Sequence, residues 1–297
     1  MPKLSIIILS YNTRDITKQC LQTLINSLSL AKSFESEIIV ADNASSDGTQ
    51  AMLTDFKKNF TSQNIILTTI FNEKNEGFTR GNNQAAKHAK GEHLLFLNSD
   101  VMIETVDWEE LIKYFESDSS LAVLTVKVML ENGGIDPASH RGFPTIFRSF
   151  CYYGGLEAIT KPVPFLNELF GGYHLTHHNL SKSHEIDSPS GAFYLVKKNI
   201  FEKAQGFDED FFMYGEDLDL SYRIKEMDYK IIYYPEFKVR HLKYKSGLGT
   251  ADKAIHLRTR RHFYDTMHIF YEKHYAPKNP KLINQLIYFL IELKSKL

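Results

Sequence analysis

The first 100 residues of the chain alternate between short apolar runs and amphipathic segments, and this alternation constrains the fold more than any other feature. The apolar runs predict strands at 4–9, 37–41, 65–71 and 93–97. Because they are continuously apolar, we expect burial on both faces, as in a parallel sheet. The segments between them predict helices over 16–28, from the 45–47 cluster onward, and over 78–89. Asn12 or Thr13 is a candidate cap for the first helix, and Gly91 a left-handed cap after the third. This pattern is typical of an α/β, Rossmann-like, mostly parallel sheet flanked by helices.

Polar residues follow each of the four predicted strands. They are Ser10-Tyr11-Asn12, Asp42-Asn43-Ala44-Ser45, 72–78 and Asn98-Ser99-Asp100. Ligands of doubly wound sheets bind in the crevice at the carboxyl ends of the strands, so these residues predict a binding site. The chain contains neither G-x-G-x-x-G nor G-x-x-x-x-G-K-[ST], so neither a dinucleotide cofactor nor ATP hydrolysis is indicated.

Composition excludes several classes of protein. The 297 residues are 43% hydrophobic and 24% charged, which is typical of a soluble globular protein. The 35 Lys and Arg nearly balance the 36 Asp and Glu, so no whole-chain positive field is available to hold nucleic acid. Two cysteines, Cys20 and Cys151, fit a reducing compartment. With no signal-peptide pattern and no apolar run of about 20 residues, we expect a cytoplasmic protein.

The second half of the chain is less regular. Strands are predicted at 121–130 and 191–197, with a partly irregular excursion at 132–164 and a short helix at 199–205 closed by Gly206. Residues 206–223 are dense in acidic and aromatic side chains and include Glu216-Asp217 at a predicted helix start. No repeat or linker divides the chain into independent folding units.

Six ordered motifs carry a resemblance to a known family. They are IILSYN (7–12), VADNASSDG (40–48), NEGFTRGNN (75–83), LFLNSD (95–100), GAF (191–193) and GFDEDFFMYGEDLDLSYR (206–223), and His241 follows them. The chain resembles the inverting family 2 glycosyltransferases of the GT-A fold, and among them the bacterial rhamnosyltransferases that assemble surface polysaccharides. The resemblance implies a GT-A domain over 1–250, with a nucleotide-binding half at 1–105 and an acceptor and catalytic half at 106–250. A C-terminal helical extension at 251–297 is expected to follow.

The resemblance also implies a divalent cation, Mg²⁺ or Mn²⁺, that stabilises the leaving diphosphate. Its implied ligands are Asp100 and His241, a set that suits an oxygen-preferring ion tolerating one imidazole. Asn98 stands where many relatives carry Asp, so we expect Asp100 to dominate and Asn98 to contact ribose or a water. Asp217 is the implied general base for the acceptor hydroxyl, and the dipole at a helix start stabilises its carboxylate.

Two further groups of residues are expected to bind the substrates. The donor group is Ser10, Tyr11, Asn12, Asp42, Asn75, Gly77, Arg80, Asn98 and Ser99, and the acceptor group is Glu216, Asp219, Phe193 and Tyr214. We expect the loop at 75–83 to close over the nucleotide and a second loop at 243–250 to close over the diphosphate. Taken singly, each residue also has an ordinary structural explanation: Asp100 as a turn cap, Arg80 as a solvated cation.

These features together predict transfer of a sugar with inversion, from dTDP-L-rhamnose as the first choice of donor and a UDP-hexose as the second. The acceptor is expected to be a hydroxyl of a growing cell-surface glycan. A nucleotidyltransferase and a non-catalytic sugar- or nucleotide-binding scaffold are the alternatives. The locally basic, leucine-rich C-terminal region fits contact with an anionic inner leaflet and a lipid-linked acceptor, and it fits a homodimer contact or packing on its own core equally well.

Overall fold

The computed structural model describes residues 1–243 and 253–296, and side chains are described outside 253–259. Within these ranges nine strands form one sheet. They are β1 (Leu4–Ser10), β2 (Ser36–Asp42), β3 (Ile65–Phe71), β4 (His93–Leu97), β5 (Val101–Thr105), β6 (Leu121–Leu130), β7 (His184–Glu185), β8 (Phe193–Lys197) and β9 (Lys230–His241). The strand order is β3-β2-β1-β4-β8-β6-β9-β5, and β7 pairs with β9 outside that path.

Eleven helices accompany this sheet within the described ranges, and six of them cover its two faces. They are α1 (Arg14–Leu28), α2 (Thr49–Lys58), α3 (Gly77–Ala86), α4 (Trp108–Glu116), α5 (Ile146–Tyr153), α6 (Leu156–Thr160), α7 (Pro164–Phe170), α8 (Lys198–Lys203), α9 (Glu216–Lys225), α10 (Lys253–His274) and α11 (Lys281–Lys296). Side chains of α1, α2 and α4 pack on one face of the sheet, and those of α3, α8 and α9 pack on the other. The mixed α/β class predicted from the sequence is therefore confirmed.

The four strands predicted in the first 100 residues are confirmed, with β3, β2, β1 and β4 parallel to one another. Every residue of β2 and of β4 is buried, as continuous apolar runs require. Strand β3 lies at the sheet edge, and Ile66 in it is 50% exposed.

Three local expectations in this half were wrong. Gly91 does not adopt a positive φ and is not a left-handed cap. A glycine is required there because a Cβ would lie 2.6 Å from the Ser5 backbone nitrogen. The third helix ends at Ala86 rather than residue 89. Neither Asn12 nor Thr13 caps α1 through its side chain, because Asp47 Oδ2 accepts the Arg14 amide hydrogen at 2.9 Å instead.

Beyond β4 the sheet becomes mixed. Strand β8 is antiparallel to β4 and to β6, β6 is parallel to β9, and β9 is antiparallel to β5. The predicted strand at 121–130 is confirmed as β6. The irregular excursion at 132–164 contains α5 and α6. The sequence did not predict β5 or β9, and β9 exposes Arg240, which pairs with Glu104.

The two C-terminal helices differ in their packing. Phe270 of α10 belongs to a small apolar cluster with Phe211 and Leu218. In contrast, α11 has no buried residue, and one side of it exposes Leu286 and Phe289. No helix within the described ranges is both long and apolar enough to cross a membrane.

Candidate active site

The register of β5 against β9 brings Asp100 and His241 together. Val101 is paired with His241, and the Leu242 amide donates to the Asp100 carbonyl at 2.9 Å. His241 Nε2 lies 3.2 Å from Asp100 Oδ1. Both side chains are buried, at the edge of the sheet where the parallel strands end. The two residues named as metal ligands therefore share one corner of the molecule, which we call the histidine corner (Asp100, Asp136 and His241).

Asp136 lies across the imidazole ring from Asp100, and the sequence did not indicate it. Its Oδ2 is 3.3 Å from His241 Nδ1, and its Oδ1 is 2.9 Å from Lys243 Nζ. Burial lowers the pKa of His241, but its hydrogen bonds with Asp100 and Asp136 outweigh burial and raise the pKa to about 9. In the sequence, Asp136-Pro137 indicates only a turn. The contact with His241 could not be predicted because 105 residues separate the two side chains.

Asp217 occupies the first turn of α9 and is held by three donors. Arg141 Nη2 donates to its Oδ2 at 2.7 Å, the Gly191 amide donates to the same oxygen at 3.2 Å, and the Leu218 amide donates to Oδ1 at 2.7 Å. The residue before the helix, Gly215, has to be a glycine for two reasons. Its φ is +76, and a Cβ at this position would collide with Thr266 Cγ2. We call Arg141, Glu216 and Asp217 the carboxylate corner.

Two groups of the carboxylate corner are incompletely hydrogen-bonded. Glu216 is buried, and neither its Oε2 nor the buried Arg141 Nε has a hydrogen-bond partner among the residues that the structure describes. Burial and the neighbouring charge of Asp217 raise the pKa of Glu216 above its usual range. Arg141 was not indicated by the sequence because its partner Asp217 is 76 residues away.

The segment just before β8, Gly191 and Ala192, connects the two corners. The Asn98 amide, two residues before Asp100, donates to the Ala192 carbonyl at 3.4 Å, and the preceding residue, Gly191, donates to Asp217. The side-chain oxygen Asn98 Oδ1 is buried and has no hydrogen-bond partner within the described ranges. A polar group without a partner is therefore present between the two corners.

The donor residues predicted near β1 and β2 cluster at the carboxyl ends of these strands. Asn12 Oδ1 accepts from the Ser46 amide at 2.7 Å, and Asp42 Oδ1 accepts from the Ser45 amide at 3.0 Å and from Gln50 Nε2 at 2.8 Å. Asp42 is fully buried. Its polar contacts in this structure are therefore internal to the β2–α2 connection.

The other predicted donor residues fall into two environments. Ser10 and Ser99 are buried near Thr13, with Ser10 Oγ 3.1 Å and Ser99 Oγ 3.3 Å from Thr13 Oγ1. Tyr11 is 39% exposed. The loop residues follow a different pattern: Asn75 Oδ1 accepts from the Gly77 amide at 2.9 Å, and Arg80 lies on the surface 3.1 Å from Glu209.

Two of the four predicted acceptor residues are core residues instead. The Phe193 side chain is fully buried and stacks on Trp108 with ring centroids 6.4 Å apart. Asp219 is 1% exposed and pairs with Arg223 at 2.6 Å and His274 at 2.8 Å. Neither side chain has a face open to an acceptor.

Of the other two predicted acceptor residues, Glu216 belongs to the carboxylate corner, and Tyr214 is half-buried and packs edge-on to Phe263, with ring centroids 6.3 Å apart. The predicted diphosphate loop at 243–250 lies outside the described residues apart from Lys243.

One set of three side chains within the described ranges lies close enough together to share an ion: Glu92, His93 and Glu116. It lies at the amino end of β4, at the opposite edge of the sheet from Asp100. Lys3 Nζ is 2.9 Å from Glu92 and 2.6 Å from Glu116, so an ammonium group already neutralises these carboxylates. We place no metal there.

This architecture is that of the GT-A glycosyltransferases. The mannosyltransferase PcManGT from Pyrobaculum calidifontis, solved with GDP-Man and Mn²⁺, superposes with a TM-score of 0.58 at 19% identity over 97% of this chain and 70% of that one. S. aureus TarS 1–349, solved with UDP-GlcNAc, gives a TM-score of 0.59 at 17% identity over 96% of this chain and 70% of that one.

Residues 5–198 match the model of the glycosyl transferase family 2, and the chain belongs to that family and is a glycosyltransferase. Rhamnosyltransferase WbbL of Escherichia coli K12 is 25% identical over 84% of this chain and 87% of its own length. The N-acetylglucosaminyl-diphospho-decaprenol L-rhamnosyltransferase of Mycobacterium tuberculosis H37Rv is 26% identical over 80% of this chain and 76% of its own length. The family assignment confirms the resemblance found in the sequence motifs.

Proposed function

We propose that this glycosyltransferase moves a sugar, L-rhamnose from dTDP-L-rhamnose as the first choice, onto a hydroxyl of a lipid-linked cell-surface glycan with inversion. The observation that carries the proposal is the pairing of Asp100 with His241, together with the segment just before β8, in which Ala192 accepts from the Asn98 amide and Gly191 donates to Asp217. The two rhamnosyltransferase relatives support rhamnose over a hexose from UDP, which is the second choice.

The histidine corner fits a divalent cation. Two neighbouring ligands of an octahedral ion with bonds of about 2.1 Å lie about 3.0 Å apart, and the separation between His241 Nε2 and Asp100 Oδ1 is 3.2 Å. A carboxylate oxygen with one imidazole nitrogen is a donor set that Mn²⁺ accepts and Mg²⁺ accepts less readily. When bound, the ion would offset charge that develops on the departing diphosphate.

Asp217 fits the role of general base. A carboxylate offers about four acceptor sites, and three donors occupy Asp217, two on Oδ2 and one on Oδ1. Among the described residues no donor occupies the remaining site on Oδ1, which suits it to receive the hydrogen of an acceptor hydroxyl. Because Arg141 and Gly191 fix the other oxygen, the carboxylate is oriented before the acceptor arrives.

A panel of nucleotide sugars tests this function. Purified protein is incubated with dTDP-L-rhamnose, UDP-glucose, UDP-N-acetylglucosamine or GDP-mannose, with Mn²⁺, Mg²⁺ or EDTA, and the released nucleoside diphosphate is measured. We expect release from dTDP-L-rhamnose that requires the metal. Asp100→Asn is expected to abolish the metal response, whereas the control Glu92→Gln, at the opposite edge of the sheet, is expected to keep it. Metal-independent release, or release only from UDP sugars, would contradict the proposal.

We further propose a peripheral location on the cytoplasmic face of the membrane, where a lipid-linked acceptor is found. One side of α11 exposes Leu282, Leu286, Phe289 and Leu293. The segment 253–296 carries nine Lys and Arg against three Asp and Glu, although the whole chain has a net charge of −1. An apolar stripe on a basic segment suits an anionic bilayer.

Co-sedimentation with vesicles tests this location. We expect binding to phosphatidylglycerol vesicles and little binding to phosphatidylcholine vesicles. Phe289→Glu, on the exposed stripe, should lose binding, whereas Ser295→Glu, which adds the same charge on the opposite side of α11, should retain most of it. If the protein binds neither type of vesicle but forms a concentration-dependent dimer that Phe289→Glu disrupts, the result would favour a homodimer contact instead.

A further inference from the structure

Asp136 is a buried carboxylate that no sequence motif indicated, and one of its two oxygens lies against His241. It is 1% exposed. Its Oδ2 lies 3.3 Å from His241 Nδ1, while its Oδ1 accepts from Lys243 Nζ at 2.9 Å and from the Ala138 amide at 3.0 Å. The Asp136 amide donates to the Val128 carbonyl of β6 at 2.8 Å. The carboxylate is therefore fixed from both its backbone and its second oxygen.

The two nitrogens of His241 have different neighbours. Nε2 is directed at Asp100, while Nδ1 is directed at Asp136. An imidazole that ligates a metal through Nε2 must keep its single proton on Nδ1, and an acceptor at Nδ1 selects that tautomer and fixes the ring orientation. A carboxylate held in place on its other oxygen is such an acceptor.

We propose that Asp136 is a positioning residue for the divalent cation: it holds the proton of His241 on Nδ1 and keeps Nε2 turned toward Asp100. This inference rests on the proposed metal dependence. Asp136 is not itself a ligand, because it faces the nitrogen on the opposite edge of the ring from Asp100. Its contribution to metal binding passes through the imidazole.

Binding of Mn²⁺ alone, followed by electron paramagnetic resonance, tests the proposal without reference to activity. Titration of the six-line signal of free Mn²⁺ gives the affinity, and electron spin echo modulation from ¹⁴N reports whether an imidazole ligates the ion. Four proteins are compared: the natural sequence, Asp136→Asn, His241→Ala and the double variant. Asp136→Asn preserves side-chain volume while its amide can donate to Nδ1 and so select the wrong tautomer.

We expect Asp136→Asn to weaken Mn²⁺ binding by about 10–100-fold and to reduce the nitrogen modulation. His241→Ala should abolish the modulation, and Asp136→Asn should cause no further loss of affinity in that background. Asp187→Asn is the matched control, because it makes the same substitution at a carboxylate that does not contact His241. Asp187 holds the segment that follows Asp136, through Arg148 at 2.6 Å and the Phe143 amide at 2.9 Å. It should leave both readouts unchanged.

Four outcomes would overturn the inference. An equal loss of affinity from Asp136→Asn with and without His241 would show that Asp136 acts through its field alone. Unchanged affinity and modulation in Asp136→Asn would show that the tautomer does not depend on it. Mn²⁺ bound by the natural sequence without nitrogen modulation would remove His241 as a ligand while leaving glycosyl transfer standing. Absence of Mn²⁺ binding to the natural sequence would overturn this inference and the metal dependence together.

Discussion

The parallel half of the sheet and the mixed half satisfy their polar groups over different distances along the chain. At the carboxyl ends of β1 and β2, Asn12 pairs with Ser46 and the Arg14 amide with Asp47, separations of 34 and 33 residues. In the mixed half, His241 pairs with Asp136 across 105 residues and Asp217 with Arg141 across 76. At these carboxyl ends, neighbouring strand–helix connections thus serve each other, whereas at the opposite edge the ion pairs of Lys3 with Glu92 and Glu116 also join distant parts of the chain. The mixed half depends on buried charges that only the tertiary fold brings together.

Among the long-range ion pairs, we expect the largest effect on turnover from replacing Asp217, the carboxylate of the carboxylate corner that pairs with Arg141. Asp217→Asn should lower turnover by about 10²–10⁴-fold, the usual contribution of a positioned base, because an amide does not accept the hydroxyl proton. The affinity for the nucleoside diphosphate should remain nearly unchanged. Steady-state kinetics with the active donor, together with dTDP binding by calorimetry, measures both quantities.

A matched control for this prediction is Asp210→Asn, which removes a carboxylate from the same acidic stretch. Asp210 is largely exposed and pairs with Lys273 at 2.6 Å. It should retain nearly full turnover, since a surface ion pair contributes little. Full turnover in Asp217→Asn would reassign the base, and Glu216, which is buried beside it, would be the next residue to test.

The same difference between the halves explains what the sequence predicted and what it did not. The strands of the parallel half were predictable because two-face burial leaves continuous apolar runs such as 93–97. Asp100 and Asp217 were recognised from motifs. Arg141 and Asp136 were not, because nothing local distinguishes a buried charge from a turn residue when its partner is 76 or 105 residues away.

The burial of two predicted acceptor residues, Asp219 and Phe193, has equally physical causes. Asp219 follows Asp217 by two residues on α9, which turns it about 200° around the helix and away from Arg141. It therefore faces His274. Phe193 is the first residue of β8, and alternation along a strand leaves two faces that the sequence does not distinguish. The structure directs it at Trp108 in the core.

Asp219 should show the second-largest effect, in stability. It anchors α10 through His274, and its second oxygen is held by Arg223. Asp219→Ala leaves both partners without their carboxylate in a buried site, so we expect a loss of about 3–5 kcal/mol in the free energy of unfolding. Urea denaturation followed by circular dichroism measures it.

The control for that variant lies on α10 itself. Asp265 is 3.8 Å from Arg261 in a solvent-exposed pair. Asp265→Ala should change the free energy of unfolding by less than about 0.5 kcal/mol. If both variants cost the same, buried long-range charges would not distinguish the mixed half as we argue.

His140 gives a pH-dependent version of the comparison. Burial, and then the charges of His184 and His174, lower its pKa to about 4. In the parallel half, buried His93 has a carboxylate partner in Glu116, which offsets part of the lowering of its pKa by burial, whereas His140 hydrogen-bonds the Ser139 hydroxyl. Because the unfolded state binds the proton first, stability should fall as pH drops below about 6.5 and level off near 4, by on the order of 3 kcal/mol.

Urea unfolding at pH 7, 6 and 5 checks this dependence. His140→Gln, which cannot take up a proton, should flatten part of the slope, while His93, His177, His178 and His184 retain a further part because burial lowers the pKa of each. The exposed His88→Gln should leave the slope unchanged. A slope identical in His140→Gln and the natural sequence would assign the acid sensitivity to other groups.

The smallest expected effect is in the parallel half. Asp47 accepts from the Arg14 amide at 2.9 Å and from the Thr49 amide at 3.1 Å, so one carboxylate serves the starts of α1 and α2. Asp47→Ala should cost about 1–2 kcal/mol, the range for a lost helix cap, because water can reach these helix ends. Asp15→Ala, in the first turn of α1 and paired only with exposed Arg14, should cost less than about 0.5 kcal/mol. A loss from Asp47→Ala as large as that from Asp219→Ala would mean that the parallel half also depends on charges brought together by the fold, and the contrast between the two halves would fail.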